Sequence, residues 1–284
     1  MSSIDLYALI GEHIGHSRSP LIHALFAKAT QQAMQYGLIE VGVAGFAIAV
    51  REFMNGGGRG LNVTVPHKQM ALQLADTLTP RARRAGAVNT LARGLAGGTD
   101  TAVLGDNTDG SGLVRDLTIN LGCTLHGARV LLLGAGGAAR GVIAPLLESG
   151  VASLVIHNRH SARAQELAQE FADLGPVRPA PAGTAGGDRS APYDLIINAT
   201  SASLQGELPS IAANAIGTQT LCYDCAYGER DTVFVNWART AGAARATMGL
   251  GMLVEQAAES FALWRGLRPD TAPVLAALRP PGGA

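Results

Sequence analysis

The sequence predicts an α/β protein of two domains with mostly parallel sheets. Short apolar strand-like segments alternate with helix-like segments almost throughout, which is typical of βαβ units. A length of 284 residues is long for one hydrophobic core and sufficient for two. The composition is 47% hydrophobic and 15% charged with 36 glycines, which favours a compact α/β protein over a fibrous or disordered one.

The N-terminal part alternates between short apolar strands and amphipathic helices. Its first helix opens with Ser-x-Ser-Pro, in which Pro20 suits the first turn of a helix. The turn Gly56-Gly57-Gly58 separates a helix from the strand that follows it. We predict strands at Leu6–Ile10, Leu38–Val43, Gly60–Val65, Ala87–Ala92 and Thr101–Gly105, and helices at Pro20–Gln35, Phe46–Asn55, Lys68–Asp76 and Pro80–Ala85.

The C-terminal part continues the alternation and contains a strand that ends in a run of glycines. Residues 178–192 are rich in Pro, Gly, Ala and Ser, which indicates a surface loop. The tail 279–284 is expected to be disordered. We predict strands at Arg129–Leu133, Ser153–His157, Asp194–Ala199 and Thr220–Asp224, and helices at Ser111–Asn120, Gly136–Ser149, Ala162–Phe171 and Leu250–Arg265.

The bulk composition excludes several classes of partner. The formal net charge is zero and the pI is near 7.1, so no nucleic-acid or membrane surface is expected. No apolar run is long enough to span a bilayer, and residues 1–16 lack the pattern of a signal peptide. Three cysteines are too few for a disulfide framework, so a cytoplasmic location is expected.

No metal site is expected. Cys222 and Cys225 have C-x-x-C spacing, but they fall inside 219–227, which has the pattern of a buried strand, and no second pair completes a site. His13, His16 and His23 are close in sequence but have no carboxylate at ligand spacing. We interpret the cysteines as packing residues.

Lysine is almost absent, and one of the two lysines stands at the end of a polar motif. Of the 22 basic residues only Lys28 and Lys68 are lysine, and Lys68 closes the run Asn-Val-Thr-Val-Pro-His-Lys. Arginine stays protonated at any working pH, whereas an ammonium group can donate and recover a proton. Lys68 is therefore a candidate for acid–base chemistry. Chance in an arginine-rich chain is the alternative, and both remain open at this point.

A strand, a glycine turn and a helix start between Val130 and Arg140 indicate a dinucleotide site. Gly134 allows the tight turn, and Gly136 allows backbone to approach a pyrophosphate at the helix N-terminus. Ala139 stands where a third glycine often lies, which this fingerprint permits. Another strand follows about 20 residues later, as the fingerprint requires.

The end of that next strand favours NADP over NAD. An NAD site usually carries an acidic residue there to bind the ribose hydroxyls. This chain instead has His157-Asn158-Arg159-His160 and then Arg163, and the two guanidinium groups can clamp a 2′-phosphate. The alternative is that both arginines are simply solvated residues of a helix start.

The polar residues of the lysine motif share one face of the predicted strand. Asn62 and Thr64 lie on one face, and Val63 and Val65 lie on the other, so the polar pair can face a cleft while the valines face the core.

Other polar residues each have a structural alternative. Ser19 before Pro20 can be a helix N-cap, Asp109 can cap the helix that follows it, and Asn89 can be a turn residue.

Taken together and in order, the motifs resemble those of the shikimate dehydrogenase family over nearly the whole chain. The matching segments are Ser17-x-Ser19-Pro20, Asn62–Lys68, Gly86-Ala-Val-Asn-Thr90, Asn107-Thr-Asp-Gly110, Gly134–Arg140, Asn158-Arg159, Asn198-Ala-Thr-Ser201 and Gly249–Gln256. The resemblance implies NADPH-dependent reduction of 3-dehydroshikimate to shikimate, on the pathway to chorismate and the aromatic amino acids.

The resemblance also implies two domains separated by a cleft. Residues 1–110 and 249–284 would form the substrate domain, to which the last helices return, and 111–248 would form a Rossmann domain for NADP. Monomer and homodimer fit the neutral composition equally well.

Roles carry over from the family where the motifs match. Lys68 and Asp109 would be the catalytic pair, with Lys68 donating the proton or stabilising the oxyanion, and Asp109 orienting the ammonium group. Ser17 and Ser19 would hold the substrate carboxylate. The ring hydroxyls of the substrate would be bound by Asn62, Thr64, Asn89 and Gln256, and Tyr227 would also contact the substrate. NADP would be bound by Gly134, Ala135, Gly136, Gly137, Ala138, Asn158, Arg159 and Arg163. Thr200, Gly249 and Met252 would also bind NADP, at the nicotinamide end of the cleft, which Tyr227 lines as well.

Four residues at three places in the chain depart from the family pattern. Glu12-His13 stands where the family often has Asn-Pro, and Arg18 replaces a frequent lysine and is expected to point away from the substrate. His160 replaces a frequent threonine near the adenosine phosphate, which leaves the strictness of the NADP preference open. Two rival functions are a quinate/shikimate dehydrogenase that uses NAD and a non-catalytic NADPH-binding sensor.

Overall fold

The computed structural model describes residues 4–95, 99–184 and 192–278. The chain divides into two compact units, Met1–Gly112 with Leu253–Ala284, and Leu113–Met252. We call these unit 1 and unit 2. The roles given to 1–110 with 249–284 and to 111–248 stay predictions. The predicted tail 279–284 and most of the second half of the predicted loop 178–192 lie outside the described residues.

Unit 1 contains a mixed sheet of six described strands in the order β2-β1-β3-β5-β6-β4. Strand β1 pairs in parallel with β2 and β3, and β4 pairs in parallel with β6, whereas β5 is antiparallel to both neighbours. The described strands are β1 (Asp5–Gly11), β2 (Met34–Glu40), β3 (Gly58–Val63), β4 (Thr77–Leu78), β5 (Thr90–Arg93) and β6 (Val103–Asp106). The helices are α1 (Ser19–Thr30), α2 (Phe46–Asn55), α3 (Lys68–Leu74), α4 (Pro80–Ala85), α5 (Asp109–Arg115), α9 (Leu250–Arg265) and α10 (Ala272–Leu278). Helix α5 continues into unit 2.

The two faces of this sheet bury different kinds of side chain. Residues such as Ile10, Leu61 and Phe46 form an apolar cluster on one face. On the other face Trp264 lies so close to β3 that a Cβ on Gly60 would be 2.3 Å from its indole nitrogen, so only glycine fits there. Because side chains alternate along a strand, Asn62 projects to this second face, away from Leu61 and Val63.

Unit 2 is a parallel sheet of six described strands in the order β12-β11-β10-β7-β8-β9. The order reverses between β7 and β10, and this is the doubly wound arrangement of dinucleotide-binding folds, in which ligands bind beyond the carboxyl ends of the strands at that point. The strands are β7 (Arg129–Leu133), β8 (Ser153–His157), β9 (Val177–Pro179), β10 (Leu195–Asn198), β11 (Leu221–Asp224) and β12 (Arg245–Met248), with helices α6 (Gly137–Glu148), α7 (Ser161–Glu170) and α8 (Val233–Thr240).

Buried side chains cover both faces of the unit 2 sheet. Leu132 and Ile156 belong to a cluster with α6 and α7 on one face, while Leu131 and Ile196 belong to a cluster with Phe234 of α8 on the other. Strands buried on both faces explain the continuous apolar runs seen in the sequence. The predicted fold class, α/β with mostly parallel sheets, is confirmed.

Several element boundaries differ from the predictions. Helix α1 ends at Thr30 and not at Gln35, because Gln31 adopts the left-handed conformation with φ 55°. The next strand, Met34–Glu40, therefore starts earlier than predicted. Strand β3 ends at Val63, and Val65, predicted to be in the core, is 50% exposed.

Other elements were not predicted. The sequence prediction missed α8, α10, β4, β9 and β12, and the predicted helix Ser111–Asn120 is α5 followed by a π-helical turn, Asp116–Asn120. Among the described residues no helix is both long and apolar enough to cross a membrane.

Candidate active site

Lys68 and Asp109 form a close ion pair in unit 1. Lys68 Nζ donates to Asp109 Oδ2 at 2.5 Å, and the two side chains are only 13% and 6% exposed. Each is the first residue of a helix, α3 and α5, so both backbones are anchored by secondary structure. An ammonium group held against a carboxylate with little water is a charge-assisted pair suited to proton transfer or oxyanion stabilisation.

Asn89 holds the second oxygen of the same carboxylate. Its Nδ2 donates to Asp109 Oδ1 and to Thr108 Oγ1, both at 2.9 Å, and lies 3.3 Å from Gln256 Oε1. Its Oδ1 accepts the backbone N–H of Thr108 at 2.9 Å. Asn89 is therefore a buried, fully bonded side chain rather than an ordinary turn residue.

The turn before Asp109 is fixed by its own polar side chains. Asn107 Oδ1 accepts the backbone N–H of Asp109 at 3.2 Å, and Asn107 Nδ2 donates to the carbonyl of Ala87 at 2.9 Å. The carboxylate of Asp109 bonds Lys68 and Asn89, so it does not act as the helix cap that the sequence left open.

An arginine supports this turn from α4. Arg81 makes two hydrogen bonds to the carboxylate of Asp106, at 2.7 and 2.5 Å, and a third to Ser111 Oγ at 2.9 Å. Burial alone would raise the pKa of Asp106, but the bonds from Arg81 and Thr79 outweigh it and hold the pKa below its usual value. Asp106 thus remains an acceptor next to the start of α5.

The two serines predicted to hold a carboxylate lie together at the start of α1. Ser17 Oγ accepts the backbone N–H of Ser19 and donates to Ser19 Oγ, both at 3.2 Å. Arg18, not Ser19, occupies the N-cap position, and its side chain makes no cap. The Arg18 guanidinium donates instead to the carbonyl of Leu278 at 3.0 Å, so it bonds the end of α10.

Asn62 is engaged on all sides by the protein. Its Oδ1 accepts the hydroxyl of Tyr36 at 2.8 Å, and its Nδ2 donates to Ser260 Oγ at 2.9 Å and to Thr90 Oγ1 at 3.1 Å. A direct bond from Asn62 to a substrate hydroxyl stays a prediction, and its observed partners indicate that it positions other residues.

Thr64 and Gln256 are the other two predicted hydroxyl ligands. Thr64 lies just beyond β3 and is half-buried, and a Cβ on Gly11 would lie 2.4 Å from its methyl group, so glycine makes room for it. Gln256 Nε2 donates to the carbonyl of Leu253 at 2.8 Å, which leaves its Oε1 facing Asn89 and Thr108. Hydrogen bonds thus connect Lys68, Asp109, Asn89, Asn62 and Gln256; among the described residues none links Ser17, Ser19 or Thr64 side chains to them.

The glycine turn of unit 2 has the conformation that a dinucleotide-binding loop requires. Gly134 follows β7 with φ 111°, and a Cβ there would lie 3.1 Å from the backbone of Ala199 after β10, so it stands where the strand order reverses. A Cβ on Gly136 would meet nothing within 4 Å, so the N-terminus of α6 is open. Ala139 is fully buried in the core, which explains why a small residue suffices there. Gly137 is the first residue of α6, and Ala135 and Ala138 are partly buried beside it.

The residues after β8 present positive charge without a compensating acid. Arg159 and Arg163 are exposed, and within the described ranges neither guanidinium forms an ion pair. Asn158 Nδ2 donates to the carbonyl of His160 at 3.0 Å, which fixes this turn. An open helix N-terminus, a glycine turn and two such guanidinium groups together fit a phosphorylated dinucleotide.

A buried carboxylate organises the loops predicted to lie at the nicotinamide end. Asp224 Oδ2 accepts the hydroxyls of Ser203 and Thr232, both at 2.6 Å, and its Oδ1 accepts Asn198 Nδ2 at 3.1 Å. Asn198 Oδ1 in turn accepts the hydroxyl of Thr200 at 2.7 Å. Burial raises the pKa of Asp224 despite these hydrogen bonds.

The other residues predicted for this end differ in exposure. Tyr227 is partly exposed after β11. A Cβ on Gly249 would lie 2.6 Å from the carbonyl oxygen of Cys225, so only glycine fits. Met252 is 7% exposed and packs in the core, while its backbone N–H donates to Tyr223 Oη at 3.2 Å.

Comparison with known proteins identifies the family. The shikimate dehydrogenase (NADP(+)) of Alkalilimnicola ehrlichii is 53% identical over 277 residues, covering 97% of this chain and 99% of that protein. The chain belongs to the shikimate dehydrogenase family. The enzyme of the same name from Aeromonas salmonicida is also 53% identical over 277 residues, covering 97% of this chain and 98% of that protein.

Family models match three parts of the chain, and a solved structure matches nearly all of it. The shikimate dehydrogenase substrate binding domain matches residues 9–91, shikimate / quinate 5-dehydrogenase matches 117–205, and the shikimate 5'-dehydrogenase C-terminal domain matches 249–279. The shikimate 5-dehydrogenase of Thermus thermophilus, solved with NADP(H) and shikimate, has a TM-score of 0.83 and 30% identity, covering 96% of this chain and 98% of that one.

Two hydroxyl groups behind the lysine pair were not predicted from the sequence. The sequence motifs include Thr90 without giving it a role, and they do not include Ser260. Ser260 stands one helical turn after Gln256 on the same face of α9, and a polar residue repeated four positions later on a buried face was the available signal. Both hydroxyl-bearing residues are fully buried.

One of the three cysteines belongs to the core of unit 2. Cys222 is buried in β11, and burial raises the pKa of its thiol to about 12. Within the described part of the chain, no group of three or more His, Cys, Asp or Glu residues could hold a metal ion.

Proposed function

We propose that this chain catalyses the reversible NADPH-dependent reduction of 3-dehydroshikimate to shikimate, on the route to chorismate. The observation that carries the proposal is the Lys68–Asp109 pair, which is 2.5 Å apart and largely buried. Lys68 also lies within the residues that match the substrate binding domain of the family. A non-catalytic NADPH sensor would not need this pair, because a buried ion pair often adds little net stability once its desolvation cost is counted.

NADP fits the residues of unit 2. The turn at Gly134, the open N-terminus of α6 and the exposed Arg159 and Arg163 would hold the pyrophosphate and the 2′-phosphate. Because no acidic residue stands at the end of β8, NADP is favoured over NAD. When bound, NADPH supplies the hydride for the ketone carbon.

The residues of unit 1 supply position and the proton. Lys68 would donate a proton to the ketone oxygen as the alcohol forms, and Asp109 would hold the ammonium group in place. Ser17 and Ser19, at the start of α1, would bind the substrate carboxylate, because their hydroxyls lie at a helix N-terminus, whose dipole favours an anion. General acid catalysis of this kind contributes typically about 10²–10⁴ in rate.

The test is nicotinamide reduction by the purified protein with shikimate and with quinate, each with NADP⁺ and with NAD⁺. We expect turnover mainly with shikimate and NADP⁺. Comparable turnover with quinate or with NAD⁺ would instead assign the broader quinate/shikimate activity. NADPH binding without turnover of either acid would favour the sensor and overturn the proposal.

A further inference from the structure

Asn89 is held in one orientation by groups that can only donate or only accept. The backbone N–H of Thr108 can only donate, so the Asn89 atom 2.9 Å from it must be the carbonyl oxygen. The Asp109 carboxylate accepts from Lys68, and the Asn89 atom 2.9 Å from its other oxygen must be the amide nitrogen. If the amide were flipped, Asn89 Oδ1 would lie against the Asp109 carboxylate. The orientation of the Asn89 amide therefore decides whether it attracts or repels Asp109.

Asn62 has an equally fixed orientation further from the pair. Its Nδ2 lies 3.4 Å from the backbone carbonyl of Asn89, which can only accept. Its Oδ1 therefore accepts from Tyr36, and its Nδ2 donates to the hydroxyls of Thr90 and Ser260.

Thr90 connects the two amides and gives the connection a direction. Its hydroxyl oxygen accepts from Asn62 at 3.1 Å, so its hydrogen is free to donate to Asn89 Oδ1 at 2.8 Å. Ser260 Oγ lies 2.8 Å from the same hydroxyl. The bonds thus run in one sense from Tyr36 through Asn62 and Thr90 to Asn89, and from there to Asp109.

We propose that Thr90 is a positioning residue for the reaction, which orients the Asn89 amide and through it the Asp109 carboxylate against Lys68. Thr90 is fully buried and contacts Asn62, Ser260 and Asn89 but none of the atoms that would react, so its effect on Asp109 passes through Asn89. The inference rests on the proposed function, because it gives a role to Asp109 that only the reductase uses.

Two substitutions separate the hydroxyl from the packing. Thr90→Val keeps the volume and removes the hydroxyl, whereas Thr90→Ser keeps the hydroxyl and removes a buried methyl group. We expect Thr90→Val to lower kcat about tenfold, the equivalent of roughly one buried hydrogen bond, with little change in KM for NADP⁺. Thr90→Ser should recover most of that loss in kcat while being less stable to heat than wild type, because it leaves a small cavity.

The outcomes distinguish the inference from the proposed function. If wild-type protein does not oxidise shikimate, the proposed function fails first. If wild type is active and Thr90→Val keeps the wild-type kcat, or if kcat follows thermal stability in both variants, Thr90 is only a packing residue and the inference is overturned. Should Thr90→Val not fold, Thr90→Ala is compared with Thr90→Ser, since both lack the methyl group and only the serine retains the hydroxyl; equal kcat in these two overturns it as well.

Discussion

Lys68 is one of only two lysines in the chain, which gives its proposed role an unusually clean test. Lys68→Arg keeps the positive charge beside Asp109. It replaces an ammonium group, which can give up its proton, by a guanidinium group, which stays protonated at any working pH. We expect kcat for shikimate oxidation to fall by about 10²–10⁴, with a modest change in thermal stability. Lys28→Arg is the matched control, because Lys28 is exposed on α1.

A Lys68→Arg variant that keeps most of the wild-type turnover would show that only charge is needed at this position. Loss of activity in Lys28→Arg as well would point to a general effect of guanidinium substitution.

His23 is expected to make unit 1 sensitive to acid. It is fully buried and stacks on Tyr36, at 4.1 Å between ring centroids. Asn62 is a polar neighbour that favours the protonated ring, but burial acts more strongly in the other direction. Burial lowers its pKa from 6.5 to about 3, so the folded state binds fewer protons than the unfolded state. Above pH 6.5 the ring is neutral in both states, so His23 does not make stability depend on pH. As pH falls from 6.5 towards 3, only the unfolded state gains the proton, and the free energy of unfolding decreases.

From pH 7 to pH 5 this one group should remove about 2 kcal/mol from the free energy of unfolding. His23→Phe keeps an aromatic ring but cannot titrate, so it should lose correspondingly less over the same range in urea unfolding. Parallel pH profiles for wild type and His23→Phe would refute the assignment of this acid sensitivity to His23.

The residues of the site were easier to predict than their connections. The motifs contain Lys68, Asn89 and Asp109, but nothing in them indicates that Asn62 bonds Thr90 and Ser260 and not only a ligand. These contacts depend on β5 lying between β3 and β6 and on α9 packing over that face, and neither follows from local sequence. The glycine turn after β7 is a local pattern, so its conformation at Gly134 could be predicted from the sequence more directly.

At the scale of elements, we expect the turn after β8 to set the preference for NADP⁺ over NAD⁺. Arg159 and Arg163 are both exposed and lie four residues apart, with Arg163 inside α7. Replacing both by glutamine removes two guanidinium groups that would contact the 2′-phosphate. The ratio of kcat/KM for NADP⁺ to that for NAD⁺ should then fall roughly 10- to 100-fold or more, as expected for losing charged hydrogen bonds.

Arg178→Gln, on the neighbouring strand β9, serves as the control for a general loss of positive charge. An unchanged nucleotide ratio in Arg159→Gln/Arg163→Gln would mean that the two arginines are solvated residues of a helix start, the alternative raised by the sequence.

The bounds of helices and strands were predicted well where apolar runs were long. They were predicted poorly where the same residues fitted both a helix and a strand. The buried strands of unit 2 were found almost to the residue, because both faces demand apolar side chains. The prediction for helix α1 is five residues too long, because Gln31 to Gln35 include no glycine or proline to end a helix. The alternating Met34, Tyr36 and Leu38 are the signal for the strand that follows. Helix α8 was missed although Thr232 accepts the N–H of Val235 as a regular N-cap.

At the scale of the whole molecule, the alternation of strand-like and helix-like segments predicted the fold class, but it did not predict the order of the strands. Both sheets arise from similar sequence patterns, yet β5 of unit 1 runs antiparallel to its neighbours while unit 2 is wholly parallel. The segment 64–89 between β3 and β5 contains α3, β4 and α4 and carries Lys68 and Asn89. The polar motifs therefore lie where this sheet departs from the repeated βαβ pattern.

The two units also make a prediction about ligand-linked stability. All the residues proposed to hold NADP⁺ lie in unit 2, and each unit has its own buried core. The chain has two tryptophans, Trp237 in unit 2 and Trp264 in unit 1, so each unit has one fluorescent reporter. At a free concentration 100 times its Kd, NADP⁺ should raise the unfolding free energy of the unit that binds it by about 2.7 kcal/mol.

Single-tryptophan variants made with Trp→Phe at the other position resolve the two transitions in urea. We expect NADP⁺ to move the midpoint reported by Trp237 strongly and that reported by Trp264 less, because only α5 and α9 carry the chain from one unit into the other. Adding Lys68→Arg should leave the NADP⁺ effect intact, whereas Arg159→Gln/Arg163→Gln should reduce it. Equal shifts at both tryptophans would mean that the chain unfolds as one cooperative structure, and the independence of the units would have to be abandoned.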